Sequence, residues 1–185
     1  MKKILVILSA WTVCSIMALP QTSPTDHFTA AQVLEERVSA AEKEIVPAAE
    51  AMPDDKYSFA PTDGEFKGAR TFGEQVKHLA AANYQLAARI LGEAPPHGER
   101  DESAPDSVRS KQEIVEYLKG SFAILHRAAA SVDEKNLTAR ISGTKGTWQH
   151  TRLGLAVDAI GHSCDHYGQM VEYLRMNGIV PPASR

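Results

Sequence analysis

The residues that most constrain this chain lie near its C-terminus, where Leu155, Ala159, Ile160, Met170, Tyr173 and Leu174 recur at three- and four-residue steps. That is the period of an amphipathic helix, and Gly178 followed by Pro181 and Pro182 ends it. The same stretch carries His162 and His166, one turn apart. At about 100° per residue, positions four apart project from nearly the same face, so both imidazoles can turn toward one ion without bending the backbone. Two ligands leave such a site incomplete, because catalytic zinc typically takes three protein ligands and keeps a further position open. The third donor must come from another segment, which requires a second helix to face this one.

Three more periodic segments can supply it. Phe28 to Ala51 reads as a first helix with Phe28, Val33, Leu34, Val38, Ala41, Ile45 and Val46 as its apolar stripe, and Pro47 weakens its last turn. A loop rich in Pro, Gly and Asp follows, in which Tyr57, Phe59 and Phe66 are predicted to pin the chain to the core. Thr71-Phe72-Gly73-Glu74 has the capping-box arrangement, and the apolar positions from Phe72 to Ile90 carry a second helix to Leu91-Gly92. Glu93 to Val108 is polar and interrupted by Pro95 and Pro96, which reads as an exposed connector. A second capping box, Ser110 to Glu113, opens a third helix ending near Ser131, and the last helix begins at Thr147 or Thr151. Four helices with polar connectors and no strand signal predict an all-α four-helix bundle, a fold that commonly builds metal sites from facing helices.

The N-terminus is set apart from this fold. Met1-Lys2-Lys3 followed by the apolar run Ile4 to Ala18 reads as a secretory signal peptide, so residues 1–18 are expected to be cleaved and the protein exported to the periplasm or medium. Residues 19–27 form a polar leader, 28–182 one domain and 183–185 a short tail. Cleavage removes Lys2 and Lys3, leaving the exported chain more acidic than its full-length net charge of -3. Such a balance argues against nucleic acid and against stable membrane association once the signal is gone, since phosphate binding takes clustered Lys and Arg. Cys14 leaves with the signal, and the remaining Cys164 cannot close an internal disulfide. Cys164 lies about 200° around the helix from both histidines and reads as a packing residue.

Of the seven histidines, His27 and His97 fall in coil and His150 precedes the metal-facing stretch. His78, among the core-facing Val76, Leu79 and Ala82, is the first choice for the third ligand, and His126 is the reserve. Against His126 and His150 stands the plainer reading of a histidine satisfied within a helix. Asp158 and Gln169 share the metal-facing stripe and can either fix a histidine tautomer or serve as ordinary polar residues of the bundle. Glu74 can orient His78 or accept a proton, although its place in the cap already explains it. Tyr167 and Arg175 read as surface residues.

The segment Gly161-His162-Ser163-Cys164-Asp165-His166-Tyr167-Gly168-Gln169-Met170, with Tyr173-Leu174-Arg175-Met176-Asn177-Gly178-Ile179-Val180-Pro181-Pro182 behind it, resembles the C-terminal signature of the DinB-like family. Phe72 to Leu79 is similar to that family's first-histidine helix. The resemblance spans roughly Phe28 to Pro182 and implies a bundle of the DinB/YfiT type holding one divalent metal through His78, His162 and His166. Zinc or nickel leads, with iron or manganese as further candidates, since three imidazoles suit all four. Relatives implied by the resemblance are thiol transferases or metal-dependent hydrolases, and dimers are common among them. An exported chain departs from the cytosolic pattern of many members, which bears on any thiol cosubstrate.

Three neutral imidazoles leave a 2+ ion its full charge, which lowers the pKa of a water or thiol it holds toward neutrality. The first gives hydrolysis and the second thiol transfer to an electrophilic small molecule. A non-catalytic metal-binding or sensing module is the alternative, and a closed coordination shell would be its mark.

Overall fold

Every helix begins where a side chain satisfies its free amides. The computed structural model describes residues 27–61, 68–99, 102–141 and 150–185, and the expected signal peptide, Phe66 and Thr147 lie outside them. Helix α1 (Ala30–Ala51) opens on Thr29, whose hydroxyl accepts from the Gln32 amide while Gln32 accepts from the Thr29 amide. Helix α2 (Phe72–Leu91) and helix α3 (Lys111–Ala130) start on the two boxes expected at Thr71 and Ser110. Helix α4 (Arg152–Met176) is capped by Thr151, which accepts from the Gly154 amide at 3.0 Å.

The C-terminal ends of α2 and α4 are closed by glycine. Gly92 and Gly178 adopt φ of +74° and +72°, left-handed values that a side chain resists. Behind each, the next residue bonds back into the helix, Glu93 to the Ala88 carbonyl and Ile179 to the Leu174 carbonyl, both at 2.9 Å. These are Schellman closures. After α4, the short 3-10 turn Pro182–Ser184 lies against α1, so the Gly-Ile-x-Pro-Pro tail fastens the last helix to the first.

The four helices pack as a square in which α3 and α4 each touch both α1 and α2, with α1 diagonal to α2 and α3 diagonal to α4. Helices α2 and α4 are antiparallel: Phe72 packs near Tyr173 at one end, and Arg152 donates to the Ile90 carbonyl at the other. Phe72, Leu79, Leu118, Phe122, Leu155, Met170 and Leu174 are fully buried between them. Each such side chain contributes roughly 1.5–3 kcal/mol by leaving water, the main stabilising term where the described residues hold no disulfide. Among the described residues there is no strand, only an isolated antiparallel bridge between Arg140 and Thr151. No helix among them is long and apolar enough to cross a membrane.

Several sequence expectations are corrected here. Phe28 precedes the Thr29 cap and is 75% exposed, and Val33 is exposed as well. The buried face of α1 runs through Leu34, Val38, Ala41 and Ile45, and Val33 stands one residue, about 100°, off it. Pro47 does not shorten α1, because Ala48, Ala49 and Met52 beyond it are fully buried and their packing outweighs the one hydrogen bond a proline removes. Cys164 points away from both histidines as expected, but into solvent and not into packing. Tyr57 and Phe59 do pin the loop after α1: the Tyr57 hydroxyl donates to the Ala49 carbonyl at 2.7 Å, and the Phe59 ring meets Tyr173 edge-on.

Candidate metal centre

The face of α4 turned to the core carries Ala159, Ser163, His166, Met170 and Tyr173, all buried. His166 therefore occupies a core position by helical spacing, with His162 one turn earlier at the margin. On α2 the equivalent margin carries Gln75 and His78, both buried. Because the helices are antiparallel neighbours, His78 is brought against the His162 and His166 pair. One turn further along, Gln75 donates to Gln169 and Gln169 donates to Asp165 at 3.0 Å, which ties the two helices beside the histidines.

The three imidazoles turn the same atom inward. His162 Nε2 is 2.9 Å from His166 Nε2 and 3.3 Å from His78 Nε2. Ring planes stand 68° to 79° apart, so the rings converge edge-on instead of stacking. One donor atom from each lies within 4.8 Å of the others, a group that could hold a metal ion. Two nitrogens each about 2.0–2.1 Å from a shared ion stand roughly 2.9 Å apart at a right angle and roughly 3.4 Å apart at a tetrahedral one. Both measured separations fall at those values, and the donor set fits a divalent transition ion.

The rings are also in the right protonation state. The pKa of His78 is lowered by burial and by the nearby Arg70 charge, with Glu102 pulling the other way. Burial and then His78 lower His162. Burial, followed by His162 and His78, pushes His166 down to about 4. At neutral pH all three are uncharged, which a lone pair toward a cation requires. For His78 the tautomer follows from its partner: Nδ1 lies 3.3 Å from the Glu102 carbonyl, a carbonyl can only accept, and the proton therefore sits on Nδ1 and leaves Nε2 free. His162 and His166 have no protein partner at Nδ1 among the described residues.

Two cavities reach the centre. One, of about 510 Å³, is lined by Arg70, Glu74, Lys77, His78, Glu102 and Ser103. The other, of about 390 Å³, is lined by Leu86, Arg89, Glu102, His150, Asp158 and His162. Arg70 depresses the pKa of all three histidines, so its charge is felt at the point of convergence. Its backbone is held by the Tyr173 hydroxyl, which donates to the Arg70 carbonyl at 3.0 Å.

The other candidate residues lie elsewhere or do other work. His126 is on α3, diagonal to α4, where Nδ1 meets Glu35 at 2.5 Å and Nε2 meets Glu42 at 3.0 Å. Glu74 stays in its cap, accepting from the Thr71 amide at 2.8 Å, and those bonds lower its pKa. Gln169 bonds Gln75 and Asp165 and no histidine, and Asp158 lines the second cavity without bonding a ring. Arg175 pairs with Glu172 on the surface. His97 packs against Tyr84 and Tyr117, and His27 is exposed coil. Glu102 and Arg70 were not legible as site residues: each sits in a polar connector, where no periodicity marks a side chain that lines a cavity.

An antiparallel helix pair that converges three neutral imidazoles beside open cavities defines a four-helix bundle with a candidate metal centre. The sequence profile of the DinB superfamily matches residues 37–170, and the chain belongs to that family. Comparison with curated proteins yields no match.

Proposed function

We propose that the protein is an exported metal-dependent enzyme that holds one divalent ion through His78, His162 and His166 and acts on a small molecule as a hydrolase or thiol transferase. The observation that carries this reading is the open side of the histidine cluster. A structural or storage site is closed by its ligands, whereas here two cavities lead to His78 and His162. The ion, when bound, supplies the positive charge that makes a water or thiol acidic near neutral pH. The chain supplies the rest. Uncharged imidazoles leave that charge undiminished, the Glu102 carbonyl keeps the His78 lone pair aimed inward, and Arg70 and Lys77 line the larger cavity as cationic partners for an anionic part of the substrate. Export is supported by Met1 to Ala18 alone, a basic start followed by a short apolar run.

The test begins with elemental analysis of protein purified without a histidine tag. One metal per chain is expected in the wild type and none in His78→Ala; equal metal in both removes the assignment. Metal-loaded protein is then assayed with thiols plus electrophiles and with esters and amides. Turnover lost in His78→Ala supports the enzyme, and a wild type that binds metal but turns over neither set returns the site to a binding or sensing role.

A further inference from the structure

Glu102, in the connector between α2 and α3, has φ of +52°. For a residue other than glycine this left-handed conformation is strained, and it persists where surrounding contacts over-determine it. The contacts here are both to one ring. The Glu102 carbonyl meets His78 Nδ1 at 3.3 Å, and its carboxylate oxygen lies 3.5 Å from His78 Nε2, the nitrogen turned toward the convergence point. That second separation is close to the roughly 3.4 Å between two donors sharing a tetrahedral ion. Of the other nearby acids, Glu74 caps α2, Asp165 accepts from Gln169, and Asp158 lines the second cavity. Among the described residues, Glu102 alone lines both cavities.

Charge points the same way. Three neutral imidazoles offset none of a 2+ charge at a mostly buried site, and a carboxylate from the open side halves it at little desolvation cost. The Glu102 side chain is 50% exposed. Its carboxylate stands beside His78 and outside the group within a common 4.8 Å, so a short swing separates it from the position of a ligand.

Resting on the metal reading above, we propose that Glu102 is a displaceable fourth donor to the ion. Its carboxylate closes the centre at rest and swings into one of the two cavities it borders when a substrate takes the open position. The loop conformation that strains Glu102 is what delivers both its carbonyl and its carboxylate to His78.

The experiment uses the whole chain, stripped of metal and titrated with cobalt(II) and with zinc against a competing chelator, for the wild type, Glu102→Gln and Glu102→Ala. Circular dichroism checks that the helices are kept. Both variants should still bind one ion, about 10–100-fold more weakly, and their cobalt visible absorption should change in position and intensity as an oxygen donor leaves. Unchanged affinity overturns the proposal. So does weaker binding with an unchanged cobalt spectrum, which confines Glu102 to supporting the loop. Neither result touches the histidine centre, which fails separately if the wild type binds no more ion than His78→Ala.

Discussion

Between α1 and α3, His126 places Nδ1 against Glu35 and Nε2 against Glu42; between α2 and α4, three imidazoles place their Nε2 atoms against one another with no carboxylate in the common group. Both clusters bridge two helices of one bundle, and both are at least partly buried. Burial pulls the pKa of His126 down, but hydrogen bonds to the two glutamates more than offset it and the ring's pKa is raised. At the other cluster burial comes first again, His78 adds to the depression of His162, and both add to that of His166. A histidine surrounded by acids is a fastener whose charge is already neutralised. Histidines gathered with their Nε2 atoms together form a group that could hold a cation. The difference lies in the partners, and residue type alone does not reveal it.

The sharpest way to break this contrast is to remove the metal. If the ion is held about 100-fold above its dissociation constant, its binding adds about 2.7 kcal/mol to folding. At about 2–4 °C per kcal/mol for a chain of this size, a chelator should lower the melting temperature by roughly 5–10 °C. His166→Ala should abolish the chelator's effect and His126→Ala should preserve it, as differential scanning calorimetry would register. A chelator response that survives His166→Ala, or disappears with His126→Ala, assigns the ion to the wrong pair of helices.

A pH series on the metal-free protein gives an effect of similar size, and the two clusters should respond with opposite sign. His166 has its folded pKa near 4, below the ordinary 6.5, so the unfolded chain takes up the proton first. Stability is then complete above about pH 6.5 and falls between there and about pH 4, by roughly 3–4 kcal/mol if the shift is fully expressed. His126 is raised, so its contribution is present below pH 6.5 and is lost as pH climbs through the folded value. Urea midpoints should show His166→Leu flattening the acid limb and His126→Gln flattening the other. If His126→Gln changes the acid limb instead, the assignment of charge states is reversed.

Much of this arrangement was legible in the sequence, for identifiable reasons. Thr71 with Glu74, Ser110 with Glu113, and Gly178 mark helix ends through local bonds that depend on few neighbours. The spacing of His162 and His166 fixes their common face wherever the helix packs. What the sequence withheld is what depends on the packing square. Nothing in the run around His126 says that α3 lies against α1, and only that adjacency supplies Glu35 and Glu42 and removes His126 from the candidate ligands. Val33 and Cys164 were misread for a related reason: an apolar or thiol side chain at the edge of a helical stripe falls in or out of the core by one residue's rotation. Glu102 was invisible because a connector carries no period, and its role rests on a backbone twist that no residue pattern encodes.

The smallest expected effect probes the fastener itself. Glu42 is partly exposed, as is its partner His126, and pairs of that kind are worth about 0.2–1 kcal/mol because water screens the attraction and side-chain entropy opposes it. Glu42→Gln should therefore lower the unfolding free energy by no more than about 1 kcal/mol, leave Glu35 to hold His126 Nδ1, and leave metal content unchanged. Urea denaturation near neutral pH, with elemental analysis of the same samples, measures both. A loss of several kcal/mol would show that the pair is insulated from water and central to the packing of α1 on α3. A loss of metal would mean that the two clusters communicate through the core, since His126 lies on the helix diagonal to the one that carries His162 and His166.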